Sequence, residues 1–305
     1  MISRTPTFPL ALTALGLALL GAQAQAQPAQ PGPTEARRLR LFTWNVGTVN
    51  PMAMRLPERA VPRVIETIGR ARPDVVTLQE VASPAQAAQI VSGLAAGGLT
   101  LRRTELVIDT RRDDGRLAVT LYQGEAEVLT HRTSNGFGIL ALRQGGVTVV
   151  NIHAPISASD RTVFFRELGE WVQGLPGPVI VQGDYNCGPN QGAGLSMLMG
   201  SHEEQDFYSF NRFTRVVPVG TRPETTNMFG LSIDHVRMTA GRVLRQQVHQ
   251  RRRVFPMDHD PLEAEVEVEV EVPAASPAEV VTTNLPPPSS SPAGTGMVEV
   301  VAPGN

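Results

Sequence analysis

The order of predicted strands and helices constrains the fold of this 305-residue chain more than any other feature. Strands alternate with helices near both ends of the predicted domain, whereas the middle contains only strands, separated by Gly-rich or Asn-Gly turns. This order predicts an α/β fold in which two mixed β-sheets pack face to face with helices outside. Helices are predicted at 58–71, 84–96 and 160–173, the last with Asp160 as N-cap, and strands at 39–46, 74–79, 117–122, 126–130, 136–143, 146–152, 178–183, 231–238 and 262–272.

The two ends of the chain differ in composition from this domain. Residues 1–26 combine a basic residue, an apolar run over 10–20 and a small-residue cleavage position, which is the pattern of a secretory signal peptide. Because the run is shorter than the ~20 residues of a spanning helix, cleavage is favoured over a retained membrane anchor. Residues 27–37 are predicted to be a linker and 273–305 a disordered Pro/Ser/Gly-rich acidic tail. We therefore expect one folded domain over 38–272, in a secreted or periplasmic monomer without a membrane span after signal removal.

Charge is unevenly distributed between the domain and the tail. Residues 35–262 carry 26 arginines and 22 acidic residues, a net charge of +4, whereas residues 263–305 carry seven glutamates and no basic residue. A mildly basic body suits a polyanionic substrate. The single cysteine, Cys187, excludes an intramolecular disulfide and a zinc site built from several thiolates.

Polar side chains stand where the predicted strands end. Each alone is more typical of a turn or of a hydrogen-bonded structural residue than of a catalyst. Together they bring carboxylates, amides and histidines to successive strand ends, where side chains are held rigidly at one rim of a sheet. We therefore predict a catalytic site at this rim. The residues are Asn45, Glu80, His153, Asp184, Asn186, Asp234, Asp258 and His259.

Six short motifs around these residues carry a family resemblance. They are Thr43-Trp44-Asn45-Val46, Leu78-Gln79-Glu80-Val81, Val150-Asn151-Ile152-His153, Gly183-Asp184-Tyr185-Asn186, Ile233-Asp234-His235-Val236 and Asp258-His259-Asp260-Pro261. In these motifs and their order the chain resembles the endonuclease/exonuclease/phosphatase family, which includes deoxyribonucleases, apurinic endonucleases, bacterial sphingomyelinases and inositol-polyphosphate 5-phosphatases. The resemblance spans roughly residues 39–268. It implies a four-layer α/β/β/α sandwich and hydrolysis of phosphoester bonds.

The resemblance also implies a divalent metal, Mg²⁺ or Mn²⁺, and its ligands. Glu80 would be the main ligand, Asn45 would contribute its amide oxygen, and Asp258 would act directly or through another ligand. Oxygen ligands of this kind are those that Mg²⁺ prefers, and one or two carboxylates suffice because the ion keeps several waters.

Catalytic roles follow from the same resemblance. His259 would be the catalytic histidine, with Asp234 orienting its ring, and Asp184 would position the attacking water. Asn186 would bind the phosphate, and His153 would donate to a non-bridging phosphate oxygen. Either Asp184 or His259 could take the proton from water, and the sequence leaves both open.

Residues near these motifs were assigned separately. Arg252 lies in a run of three arginines shortly before Asp258, and it is equally consistent with a substrate contact and with a solvated surface. Met257, Cys187 and His235 depart from the family pattern, and each is interpreted as structural.

These observations predict a secreted, metal-dependent hydrolase of phosphodiester bonds, a nuclease or phosphodiesterase, acting by in-line attack of water. The alternative is a phosphoesterase for a lipid or sugar phosphate, similar to sphingomyelinases or phosphatases. An exposed aromatic hairpin for membranes, expected of a sphingomyelinase, is not visible in a chain with 5% aromatic residues. A binding module with an inactive site would have lost some of the polar residues, and none is lost.

Overall fold

The computed structural model describes residues 32–48, 54–113, 115–187, 215–216, 226, 228, 232–249 and 257–272. The predicted signal peptide, the predicted tail and Arg252 lie outside the described residues, so these assignments stay predictions. Within the described ranges, none of the helices combines the length and the apolar character that crossing a membrane requires.

The described ranges contain three α-helices, one short 3-10 helix and twelve strands. In chain order they are β1 (Thr34–Asn45), the 3-10 helix (Glu58–Ala60), α1 (Val61–Ala71), β2 (Val75–Val81), α2 (Pro84–Ala96), β3 (Arg102–Val107), β4 (Leu117–Tyr122), β5 (Glu127–Arg132), β6 (Gly138–Gln144), β7 (Val147–His153), α3 (Ala158–Gln173), β8 (Val179–Asp184), β9 (Arg215–Val216), β10 (Asp234–Met238), β11 (Arg242–Val248) and β12 (Leu262–Glu271).

The strands form two mixed sheets. The first has the order β11-β12-β1-β2-β4-β3 and the second has the order β5-β6-β7-β8-β10-β9. Each contains one parallel pair, β1 with β2 and β7 with β8, and the other described pairs are antiparallel. Each parallel pair is joined through a helix, α1 or α3, because parallel neighbours need a long crossover. The predicted pair of mixed sheets is confirmed.

Three separate apolar clusters lie between four layers. One joins α1 and α2 to the outer face of the first sheet, the second lies between the sheets, and the third joins α3 to the outer face of the second sheet. Each fully buried aliphatic side chain in them contributes about 1.5–3 kcal/mol. The α/β/β/α sandwich is therefore confirmed. Representative members are Ile68, Leu78 and Ile90 in the first cluster, Leu41, Val149 and Val266 in the second, and Ile152, Phe164 and Val181 in the third.

The last strand shows why strict alternation predicts a half-buried strand. The apolar residues of β12 are buried in the cluster between the sheets, and its glutamates face the other side, partly exposed. There Glu267 accepts hydrogen bonds from Arg38 of β1 and Arg242 of β11. The pairing of β1 with β12 extends to Thr34 opposite Glu271, so β1 begins four residues before the predicted domain start.

Three strands and one helix start differ from the predictions. β3, β9 and β11 were not predicted. All three lie at sheet edges, and most side chains of β3 and β11 remain partly or fully exposed, which removes the apolar periodicity. The third helix starts at Ala158 after Ser157, not after Asp160. Asp160 lies in the first turn, where its carboxylate accepts a hydrogen bond from Arg111.

Candidate active site

The sheets bring the predicted site residues to one rim. Asn45, His153 and Asp184 are the last residues of β1, β7 and β8, and Glu80 is the penultimate residue of β2. Asp234 begins β10, which is antiparallel to β8 and places it opposite Asp184. The segment 257–260 leads into β12, which pairs with the end of β1 through Leu262 and Thr43, so Asp258 and His259 reach the same rim.

Asp234 and His259 form a buried pair. The two atoms Nδ1 of His259 and Oδ2 of Asp234 are 2.7 Å apart, and the ring nitrogen donates to the carboxylate. The indole of Trp44 donates to the backbone carbonyl of His259, which fixes the loop that carries the ring. Burial alone would lower the pKa of His259, but the negative charges of Asp234 and Asp184 outweigh it and hold this pKa well above its usual range. The Asp234 carboxylate therefore orients the ring and favours its protonated form.

Asp184 lies at the centre of the polar contacts. Its Oδ1 accepts from the backbone N–H of Asn186 at 2.8 Å, and its Oδ2 accepts from Nδ2 of Asn45 at 2.9 Å. The Nε2 atoms of His153 and His259 lie 3.5 and 3.8 Å from the same Oδ2. Burial alone would raise the pKa of Asp184, but the charge of His259 and the contact with His153 outweigh it and lower this pKa. Asp184 is thus held as a carboxylate.

Glu80 adopts an unusual backbone conformation. Its φ is +64°, in the left-handed region, where the β2–β4 register shifts between Leu78 and Val81. The Oε1 atom forms an ion pair with the guanidinium of Arg116 and lies 3.6 Å from Nε2 of His153. Burial raises the pKa of Glu80, opposed in part by His153 and Arg116. Left-handed residues that are not glycine concentrate at functional sites, where the surrounding structure holds the strain.

The two predicted metal ligands on β1 and β2 meet at one glycine. A Cβ atom on Gly47 would lie 1.6 Å from Oε2 of Glu80, so that oxygen occupies the space over the glycine. The N–H of Gly47 also donates to Oδ1 of Asn45 at 2.9 Å. Carboxylate and amide oxygens at this position fit the preference of Mg²⁺ or Mn²⁺ for oxygen.

A second group of potential metal ligands lies beside the first. Ligand atoms of Asp184, Asp234 and His259 lie within 4.8 Å of one another. The Oδ1 atom of Asp234 is buried and has no hydrogen-bond partner within the described part of the chain. Such an acceptor fits a cation or a water near it. Asp258 is half-buried beside this group, and burial raises its pKa.

Asn186 holds the turn that follows β8. Its φ is +47°, and its Nδ2 donates to the carbonyl of Ala154 at 2.7 Å. The guanidinium of the buried Arg161 donates to its backbone carbonyl. One of the two hydrogens on Nδ2 of Asn186 is donated to Ala154. The other remains available for the predicted contact with the phosphate.

The residues interpreted as structural have structural contacts. His235 hydrogen-bonds the backbone carbonyl of Cys187 and packs edge-on against Tyr185, and burial lowers its pKa to about 4. Cys187 is fully buried. Met257 is buried in the cluster under α1 and α2, and its backbone forms a bridge with Thr48.

Arg111 is engaged by neighbouring acidic residues. Its guanidinium donates to both carboxylate oxygens of Asp109 and to Asp160, and it stacks over the ring of Phe137 at 4.4 Å. These contacts hold the β3–β4 connection against the start of α3, so the structure favours a structural role.

Sequence analysis missed Arg116 and Gly47 as parts of the site. Arg116 immediately precedes an apolar strand and follows an acidic, Gly-containing segment, which is typical of a solvated turn. The burial of this charged residue is visible only in the structure. Gly47 lies two residues after Asn45, directly after the first motif.

Beneath the rim, the space between the sheets is polar. Nε2 of Gln79 donates to Oδ1 of Asn151 at 2.8 Å, and Nδ2 of Asn151 donates to the carbonyl of Val119 at 3.0 Å. The hydroxyl of Thr120 accepts from the same Nδ2 at 3.3 Å. This layer joins β2, β4 and β7 across the two sheets and supports the rim from below.

Asn151→Leu should destabilise the fold by about 3 kcal/mol, because buried donors and acceptors on Gln79 and Val119 lose their partner. Urea unfolding of the variant measures this change. A second substitution, Gln79→Leu, in the same chain should recover part of the loss, since both buried partners are then apolar. An unchanged unfolding midpoint for Asn151→Leu would show that this layer adds nothing to stability.

Comparisons with known proteins agree with this architecture. The sequence profile of the Endonuclease/Exonuclease/phosphatase family matches residues 42–255. No curated protein sequence matches the chain.

Solved structures share the fold at low sequence identity. An endonuclease/exonuclease/phosphatase from Bacteroides vulgatus is 17% identical with a TM-score of 0.56, over 76% of this chain and 99% of that one. ANGEL2, a 2',3'-cyclic phosphatase, is 14% identical with a TM-score of 0.55, over 79% and 99%. The Haemophilus ducreyi cytolethal distending toxin is 15% identical with a TM-score of 0.53, over 74% and 97%. Since the profile match covers more than half of the chain, the protein belongs to the Endonuclease/Exonuclease/phosphatase family.

Proposed function

We propose that this phosphoester hydrolase cleaves phosphodiester bonds with the help of a divalent metal, Mg²⁺ or Mn²⁺. The observation that carries the proposal is the arrangement around Asp184. One oxygen of this carboxylate accepts from Asn186, and the other faces Asn45 and the rings of His153 and His259. Oriented carboxylates, a fixed histidine and hard oxygen ligands are what in-line hydrolysis of an anionic ester requires.

In the proposed mechanism Asp184 acts on the attacking water, and His259 acts on the phosphate. Asp184, held as a carboxylate, orients the attacking water and accepts its proton. His259, held as an imidazolium by Asp234, stabilises the charge that develops on the phosphate. The Asp234 contact also fixes the ring orientation, so the Nε2 atom points towards Asp184 and the reacting group.

His153 and Asn186 complete the binding of the phosphate in this proposal. Nε2 of His153 lies between Glu80 and Asp184 and would donate to a non-bridging oxygen. Asn186 would donate its second amide hydrogen to the phosphate. Glu80 and Asn45, with Asp258 nearby, would hold the metal, which supplies charge stabilisation to the phosphate and to the leaving oxygen.

The proposed substrates are phosphodiesters, a class that includes nucleic acid. The proposed location is outside the cytoplasm, secreted or periplasmic. The net charge of +4 over residues 35–262 supports a polyanionic substrate, and the signal-like composition of residues 1–26 supports export. The alternative, a phosphoesterase acting on a lipid or sugar phosphate, is distinguished from this proposal by the substrates that the protein hydrolyses.

An activity panel tests the proposal. Purified protein would be assayed with Mg²⁺, Mn²⁺ or EDTA on plasmid DNA, RNA, bis-p-nitrophenyl phosphate, p-nitrophenyl phosphate and sphingomyelin. We expect metal-dependent cleavage of the diesters and little action on the monoester. Hydrolysis of the monoester, or of sphingomyelin alone among the diesters, would favour the alternative, and full activity in EDTA would contradict the metal requirement.

Gly47→Ala should lower metal affinity and activity about 10- to 100-fold, because its Cβ would displace the Glu80 carboxylate from its position. The melting temperature should also fall, because the displaced carboxylate is buried and paired with Arg116. Metal titration of activity, together with thermal unfolding, measures both effects. Gly69→Ala is the matched control, because its Cβ would meet only Leu94 at 3.9 Å. Equal metal requirements for the two variants would contradict the placement of Glu80.

A further inference from the structure

Arg116 is a buried cation within the candidate site. Arg116 immediately precedes β4 and is 5% exposed, and it lines a groove together with His153 and the segment 154–157. Arginine is rarely buried unless it is paired. Its pairing partner is Glu80, which is itself 3% exposed and is the predicted main metal ligand.

The two oxygens of Glu80 face different neighbours. Oε1 contacts the guanidinium of Arg116 and lies near His153, whereas Oε2 lies over Gly47, whose N–H holds the amide oxygen of Asn45. One oxygen therefore faces a permanent positive charge of the protein, and the other faces the second predicted metal ligand.

We propose that Arg116 is a resident cation that shares Glu80 with the divalent metal and thereby weakens metal binding. This inference rests on the proposed metal dependence. A fixed positive charge in contact with a ligating carboxylate repels a second cation, and the repulsion is strong in a buried site. The same charge compensates the buried Glu80 when no metal is bound, so the site keeps its shape while the ion exchanges.

The surrounding charges make this competition effective. The carboxylates of Asp184, Asp234 and Asp258 lie at the same rim and would attract a metal to it. Arg116 acts on the Glu80 side of the site, whereas His259 is paired with Asp234 on the other side. Neutralising Arg116 therefore removes repulsion next to Glu80 and leaves the Asp234–His259 pair in place.

Mn²⁺ binding to the purified full chain tests the inference. Free Mn²⁺ measured by electron paramagnetic resonance, and heat measured by calorimetry, give the Kd without an activity assay. Arg116→Gln removes the charge but keeps a donor for Glu80, and it should bind Mn²⁺ at least about tenfold more tightly than the wild type. Arg116→Lys keeps the charge and should stay within about threefold of the wild type. Arg143→Gln, which removes an exposed arginine paired with Glu127, is the control for the loss of one charge.

Thermal unfolding gives a second readout. In EDTA, Arg116→Gln should melt below the wild type, because Glu80 loses its counter-charge. Saturating Mn²⁺ should then raise its Tm by more than it raises that of the wild type. If Arg116→Gln bound Mn²⁺ as weakly as the wild type or more weakly, the proposed role of Arg116 would be wrong, whereas the proposed metal dependence would stand. No Mn²⁺ binding by wild type and variant alike would instead contradict the proposed metal dependence, and with it this inference.

Discussion

Glu80→Gln should reduce hydrolysis about 10³-fold at ordinary metal concentrations. A metal contributes several kcal/mol of charge stabilisation in the transition state, and about 1.4 kcal/mol corresponds to a factor of ten in rate. The glutamine keeps the size of Glu80, and its amide oxygen can still accept from Arg116, so the fold should persist. Excess Mg²⁺ or Mn²⁺ should restore part of the activity, because the remaining ligands bind the ion weakly. Titration of activity against metal concentration measures the shift.

Glu127→Gln is the matched control for this substitution, since Glu127 lies exposed on β5. It should leave the metal requirement as in the wild type. An unchanged requirement in Glu80→Gln would show that Glu80 is not the ligand, and the Asp184, Asp234 and His259 group would then be the remaining candidate within the described part of the chain.

His259→Ala should lower kcat by about 10²–10⁴-fold, the usual contribution of a positioned proton-transfer or electrostatic group. The backbone carbonyl that accepts from Trp44 is kept in this variant, so the loop should stay in place. Asp234→Asn should cause a smaller loss, because the ring remains but loses the charge that holds it as an imidazolium. Steady-state kinetics with a diester substrate, together with thermal unfolding, would separate the catalytic from the structural effect.

His131→Ala is the control for the loss of an imidazole. His131 stacks on Trp171 and lies on the edge strand β5, two strands away from β7, which carries His153, and its removal should leave kcat unchanged. A loss of less than tenfold in His259→Ala would place the reaction elsewhere. Full activity of Asp234→Asn would show that the Asp–His pair plays no part in catalysis.

Local pattern predicted the strands whose two faces have distinct environments. β12 alternates because one face contacts the core and the other faces solvent, and β7 and β8 are continuously buried. β3 and β11 were missed because they are held by hydrogen bonds to β4 and β12 while most of their side chains remain partly exposed. Their assignment depends on a partner strand, which no local window contains.

The site shows the same division. Asn45, Glu80, His153, Asp184 and Asp234 could be singled out because a polar residue at the end of an apolar run is a local feature of the sequence. The distances between these residues could not be predicted from the sequence, because the distances depend on the strand order of both sheets.

By itself, therefore, the sequence determined the layered α/β class and the residues that reach the rim, since burial periodicity and strand ends are properties of short segments. Only the tertiary structure decided which of these groups touch. The ion pair of Arg116 with Glu80, the position of Gly47 under that carboxylate and the Asn45 contact with Asp184 join separate strands or loops. Such contacts arise from sheet register and from the need to pair every buried charge, and both are settled only when the whole core has packed.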